Sequence, residues 1–207
     1  MSDELLLDTP EQREAAARAA RASSESLALL EELLASSSRS KRQKAAATLA
    51  LAARSDAAAV RPATAAVLEA LAKPGNQARW ECLNFLCAQA AAGEFGADEA
   101  YDAAEDSLFD EDSGIVREAA FRLLCVSGSV SAEGSARVWP LIDEAIQCHH
   151  GNGEFNDMLT SLAAFAESAL DPEVAAALAA RMEFDAENAR GTLRMRSRQI
   201  VDACKAQ

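Results

Sequence analysis

Aromatic residues make up only 5% of this chain, with one tyrosine and two tryptophans among 207 residues. β-branched residues are scarce, and no stretch alternates apolar and polar positions for long, so strands are not expected. Five cysteines stand at 82, 87, 125, 148 and 204, an odd number with no CxxC pair. That excludes a fully paired disulfide framework and the usual zinc spacing, and it suits small core residues in a reducing, cytoplasmic compartment. Both histidines are adjacent, in Cys148-His149-His150. Neighbouring positions at a helix end do not converge on one ion, so no metal is expected there. No apolar run approaches the roughly 20 residues needed to cross a bilayer. Met1-Ser2-Asp3-Glu4-Leu5 lacks the basic region and long apolar stretch of a secretory signal, which again points to the cytoplasm. Gly-x-Ser-x-Gly, a P-loop, GxGxxG and HExxH are all missing, so neither an enzyme nor a cofactor is expected.

Positive charge is short as well. Lys and Arg number 20 against 33 Asp and Glu, giving a net charge of −13, and none stands between Glu81 and Arg117. A field of that sign repels phosphate backbones and anionic membrane surfaces, so neither nucleic acid nor membrane is an expected partner.

Half of the residues are apolar, and alanine supplies most of them, as in Ala45–Ala47 and Ala175–Ala177. Alanine is the strongest helix former and lets helices pack closely. The alanines recur with a long period. Arg42, Arg79, Arg117, Asn156 and Arg194 follow one another at 37, 38, 39 and 38 residues. Six residues after each come Thr48, Phe85, Leu123, Leu162 and Ile200, and seven after each Leu49, Leu86, Leu124, Ala163 and Val201. Three after each come Ala45, Cys82, Ala120, Leu159 and Ser197. These offsets form one face of a helix. Breaks at Arg54-Ser55-Asp56, 92–96, Ser127-Gly128-Ser129 and Leu170-Asp171-Pro172 introduce a second helix in each unit, over about 58–72, 97–109, 135–148 and 172–184. Pro62 and Pro172 fit first turns, where a missing N–H costs nothing. Pro140 falls later and should shorten or kink its helix. Ahead of the repeats, Thr9-Pro10-Glu11-Gln12 starts a helix to about Ala22, and a second over 25–35 completes an opening hairpin.

The pattern Leu108-Phe109-Asp110 followed by Val116-Arg117-Glu118-Ala119-Ala120-Phe121-Arg122-Leu123-Leu124 resembles HEAT repeats of the short bacterial type. A weaker copy runs from Leu71 through Gln77-Ala78-Arg79 to Leu86. The resemblance covers 39–205. It implies an all-α, right-handed α-α superhelix (a HEAT-like or armadillo-like α solenoid) of about 9–11 helices. The units would be 39–75, 76–112, 113–152, 153–187 and a final helix 188–205, behind a capping hairpin over 1–38, all in one continuous domain. It also implies that the Arg column bonds loop acids or carbonyls between neighbouring hairpins.

One further column is unexpected. Twenty-seven residues after each of the first four anchors stand Glu69, Asp106, Glu144 and Glu183, with Asp102, Asp143, Asp98, Glu99, Glu105 and Asp185 nearby. Second helices of HEAT solenoids line the concave surface, so the column predicts an acidic groove. The partner expected there is an unidentified protein or basic peptide segment, with Glu69, Asp102, Asp106, Asp143, Glu144 and Glu183 as candidate binding residues. A solvated face that merely keeps an alanine-rich chain soluble would read the same way. Some HEAT-like solenoids are DNA alkylation-repair glycosylases with basic concave faces. Here the basic residues cluster instead at Arg39-Lys41-Arg42-Lys44 and Arg190-Arg194-Arg196-Arg198. A chaperone or lyase-like role toward a chromophore protein, known among related families, finds no support in the residues. Trp80 and Trp139 read as core or groove anchors.

Overall fold

A computed structural model describes residues 7–207, and within them every regular element is helical. The reading of Met1–Leu5 therefore lies outside the described residues. The chain divides into two compact units, 1–94 and 95–207.

In the first unit, α1 (Pro10–Ala22) and α2 (Ser24–Ala35) form the opening hairpin. Thr9 caps α1 through its hydroxyl, and the Gln12 side chain reaches back to the cap N–H, with Pro10 in the first turn. The unit continues with α3 (Arg39–Ser55), α4 (Ala57–Val60), α5 (Thr64–Leu71) and α6 (Asn76–Ala91). Helix α3 packs most extensively on α6, and α1 and α2 close over α3 from the other side. The second helix expected over 58–72 is broken. Asp56 caps α4 by accepting from the Ala59 N–H at 3.1 Å, which places Pro62 in the helix interior rather than its first turn. Proline has no N–H for the preceding turn, so Arg61–Ala63 tightens into a 3-10 turn before α5 begins.

In the second unit, α7 (Ala97–Leu108), α9 (Ala132–His149) and α11 (Pro172–Asn188) stack as one layer, and α8 (Gly114–Gly128), α10 (Phe155–Ala166) and α12 (Gly191–Lys205) as the other. Counting α4, the 3-10 turn and α5 as one broken rod, the described residues hold eleven helical rods, within the expected number. Helix α9 is longer than expected at both ends, 18 residues, because Ser131 caps a helix that starts at Ala132, three residues before 135, and Pro140 does not shorten it. Pro140 and Ala136, whose carbonyl loses its intrahelical partner, are both exposed, so that carbonyl lies on the solvent side of the helix. Pro172 does occupy the first turn of α11. The side chain of Gln207 ties the α10–α11 linker, donating to the Ala166 carbonyl at 2.7 Å and accepting from the Leu170 N–H at 3.1 Å.

The repeat columns form the two cores. Leu49, Leu86 and Leu124 are fully buried, as are Thr48, Phe85, Leu123, Leu162 and Ile200. The Arg column acts between hairpins. Arg42, itself buried, donates to the carbonyls of Ser36, Ser37 and, one loop further on, Pro74. Arg117 donates to the Asp110 carbonyl at 2.6 Å and to the Glu154 carboxylate at 2.6 Å. Its loop partner is thus the Asp110 backbone rather than the acidic side chains upstream. Asn156, which breaks the column, is exposed.

Cys82, Cys125 and Cys204 are buried, Cys87 is half-buried and Cys148 is exposed. Burial pushes the Cys82 thiol up to about 12 and the Cys204 thiol up to about 11. The thiolate is the reactive form. With a disulfide reagent at mildly alkaline pH, Cys148 should react first, and Cys82 and Cys204 only on unfolding. Fast titration of Cys82 in the folded protein would contradict this packing.

Candidate functional site

The exposed strips of α7, α9 and α11 carry most of the candidate residues. Their cap bonds fix how those strips are presented. The Glu99 carboxylate accepts from the Gly96 N–H at the start of α7, Ser131 caps α9 and Asp171 caps α11. Buried Ser135 accepts from the Asp171 N–H at 2.9 Å and so pins the start of α11 to α9.

Asp106 on α7 and Glu144 on α9 are exposed and have no ion-pair partner among the described residues. Asp102, Asp143 and Glu183 do have partners. Arg137 of α9 pairs with Asp98 and, at 3.7 Å, with Asp102, and its guanidinium lies 3.8 Å over the ring of Tyr101. Arg181 of α11 grips Asp143 with two bonds of 2.7 and 3.0 Å. Glu183 pairs with Lys205 of α12 at 3.1 Å. Glu69 lies in the other unit, on α5, exposed and without an ion-pair partner among the described residues. Arg137 thus links α9 to acids of α7 and Arg181 links α11 to Asp143 of α9, while Asp106 and Glu144 have no ion-pair partner among the described residues.

Arg137, Arg181 and Tyr101 were not singled out as partners by sequence reasoning. The signal was present: Arg137 follows Asp98 by 39 residues and Arg181 follows Asp143 by 38, one repeat in each case. Charges at that spacing sit side by side on neighbouring second helices.

The histidines diverge. Buried His149 donates from Nε2 to the Leu108 carbonyl at 2.8 Å, while His150 meets Asp185 at 2.9 Å and packs beside Phe155. No group of three or more metal-ligating side chains occurs among the described residues, and none of their helices is long and apolar enough to cross a membrane. Three members of the basic clusters hold the fold. Arg42 is a clamp, Lys44 pairs with Asp8, and Arg198 donates to the Ala186 carbonyl.

No protein-family model matches the chain, and no curated protein matches it in sequence. Solved structures do match in fold. An engineered protein superposes with a TM-score of 0.69 at 17% identity, covering 100% of both chains. A designed armadillo repeat protein in complex with the peptide (KR)4 gives 0.68 at 13% identity over 96% of each chain. A HEAT-like repeats protein of the archaeon Thermococcus onnurineus NA1 gives 0.53 at 13% identity, covering 94% of this chain and 93% of that one. The fold class is thus an all-α helical repeat of the armadillo and HEAT-like kind.

Proposed function

We propose that this chain is a non-enzymatic, cytoplasmic scaffold that binds a lysine- and arginine-rich segment of a partner protein along its second helices. The observation that carries the reading is the pair Asp106 and Glu144. They hold the same repeat position on packed neighbours α7 and α9, both exposed, with no ion-pair partner among the described residues. Asp102, Asp143 and Glu183 flank them and add field, although each shares its charge with a basic neighbour. Glu69 repeats the position in the first unit. Exposed acids without partners cost little in salt, since screening acts over about 8–10 Å, and they speed capture of a basic chain. A designed repeat protein of the same fold class is known in complex with an alternating Lys-Arg peptide, which is the chemistry proposed for this surface.

The test is charge reversal. Asp106→Lys combined with Glu144→Lys should leave the helical circular dichroism and melting point near those of the parent, because both positions are exposed. Affinity for the basic partner recovered from lysate should fall by at least about tenfold at physiological salt, roughly 1.4 kcal/mol of lost attraction. A double variant that keeps every partner at full affinity would refute the reading.

A further inference from the structure

Tyr101 and Trp139 occupy the same place in successive repeats. They stand 38 residues apart, the spacing of Arg79 and Arg117, and both are half-buried on second helices. Their surroundings differ. The ring of Tyr101 is covered by the guanidinium of Arg137, supplied by the next helix in the layer and held by Asp98 and Asp102. One period beyond Arg137, the chain offers Val174, Ala175 and Ala176, none of them a cation. A hollow of about 280 Å³ lies beside Trp139, lined by Ala177, Ala180 and Arg181 of α11 and by Asp143; Arg181 is tied to Asp143 by two bonds.

We infer that this hollow receives one arginine side chain of the bound partner, which completes over Trp139 the arrangement that Arg137 completes over Tyr101. The inference rests on the basic-segment reading above and assigns it a specific anchor. A hollow of this size accommodates one long side chain. Indole is the best aromatic face for a cation, and guanidinium stacks flat upon it. Asp143 keeps one acceptor position, since a carboxylate has about four, Arg181 uses two and the Gln147 side chain a third. The alanines supply the apolar wall against which the methylene stem of an arginine lies.

The test uses the whole protein with Trp80→Phe, so that Trp139 is the sole indole emitter. Two short lysine-serine peptides, alike except for a central Arg or a central Leu and each labelled with fluorescein, are titrated; the label's anisotropy gives the affinity for every variant, and Trp139 emission reports contact where the indole is present. The Arg peptide should change Trp139 emission and bind more tightly than the Leu peptide by about 2- to 30-fold, the range of a cation–π contact. Trp139→Ala should erase that preference. Ala177→Arg should erase it too, by supplying the missing cation from within, so the outcome does not hang on one variant's folding. Both variants should still bind the Leu peptide in a salt-sensitive way. A preference that survives both substitutions, or a Leu peptide that binds as tightly as the Arg peptide, overturns the anchor while leaving the acidic surface standing. Failure of both peptides to bind the unsubstituted surface overturns the parent reading and the anchor with it.

Discussion

Leu124→Ala should lower the stability of the 95–207 unit by about 2–5 kcal/mol, through lost transfer energy plus the cavity left behind. Leu124 is fully buried on α8. The buried residues of α8 and α9 include Ala119, Ala120 and Ala145 as well as larger Phe121, Leu123 and Ile142. Alanine's better helix propensity returns only a few tenths of a kcal/mol, too little to compensate. Urea melts should show a lower midpoint with an unchanged slope. A loss below about 0.5 kcal/mol would mean that the 37–39 residue register is not the packing register.

The second large effect concerns the clamp between hairpins. Arg117 and Glu154 are 15% and 13% exposed, and the arginine also satisfies the Asp110 carbonyl. Arg117→Ala strands a mostly buried carboxylate at the start of α10. Removing one partner of a fully buried pair costs about 3–5 kcal/mol, and the residual water contact brings the expectation here to about 2–3 kcal/mol. Adding Glu154→Ala to Arg117→Ala should recover part of the loss, since the stranded charge goes with it, and a double-mutant cycle measures that recovery. Burial alone would raise the Glu154 carboxyl, but its backbone hydrogen bond and Arg117 outweigh burial and hold it below the ordinary carboxylate range. A depressed carboxylate contributes stability above its unfolded pKa, near 4.3, and loses it as pH falls through the lower folded value. The gap between the parent and Arg117→Ala should therefore be full at neutral pH and narrow as the solution is acidified below about pH 4. A gap that widens on acidification would contradict the pairing.

Much of this was legible in sequence because stacked repeats convert spacing into contact. A single column of arginines located Leu49, Leu86 and Leu124 in the cores, and the clamp role of Arg42 and Arg117 followed from the resemblance to HEAT repeats. The cap at Thr9 fixed α1 to the residue. The misses were local competitions. At Pro62 the Asp56 cap won the helix start and left the proline stranded inside. At Pro140 the freed carbonyl lies on an exposed face, so α9 ran on. The acidic column was visible, but its arginines were not, because a cross-helix pair emerges only when one period is added to a residue's own offset.

The Gln207 side chain bears on local opening of the fold. It staples two backbone groups across the α10–α11 linker. Gln207→Ala would unfasten that linker, and the variant should melt earlier than the parent. Comparing amide hydrogen exchange at Leu170 in parent and variant would show the difference, with faster exchange where the Gln207 amide is missing.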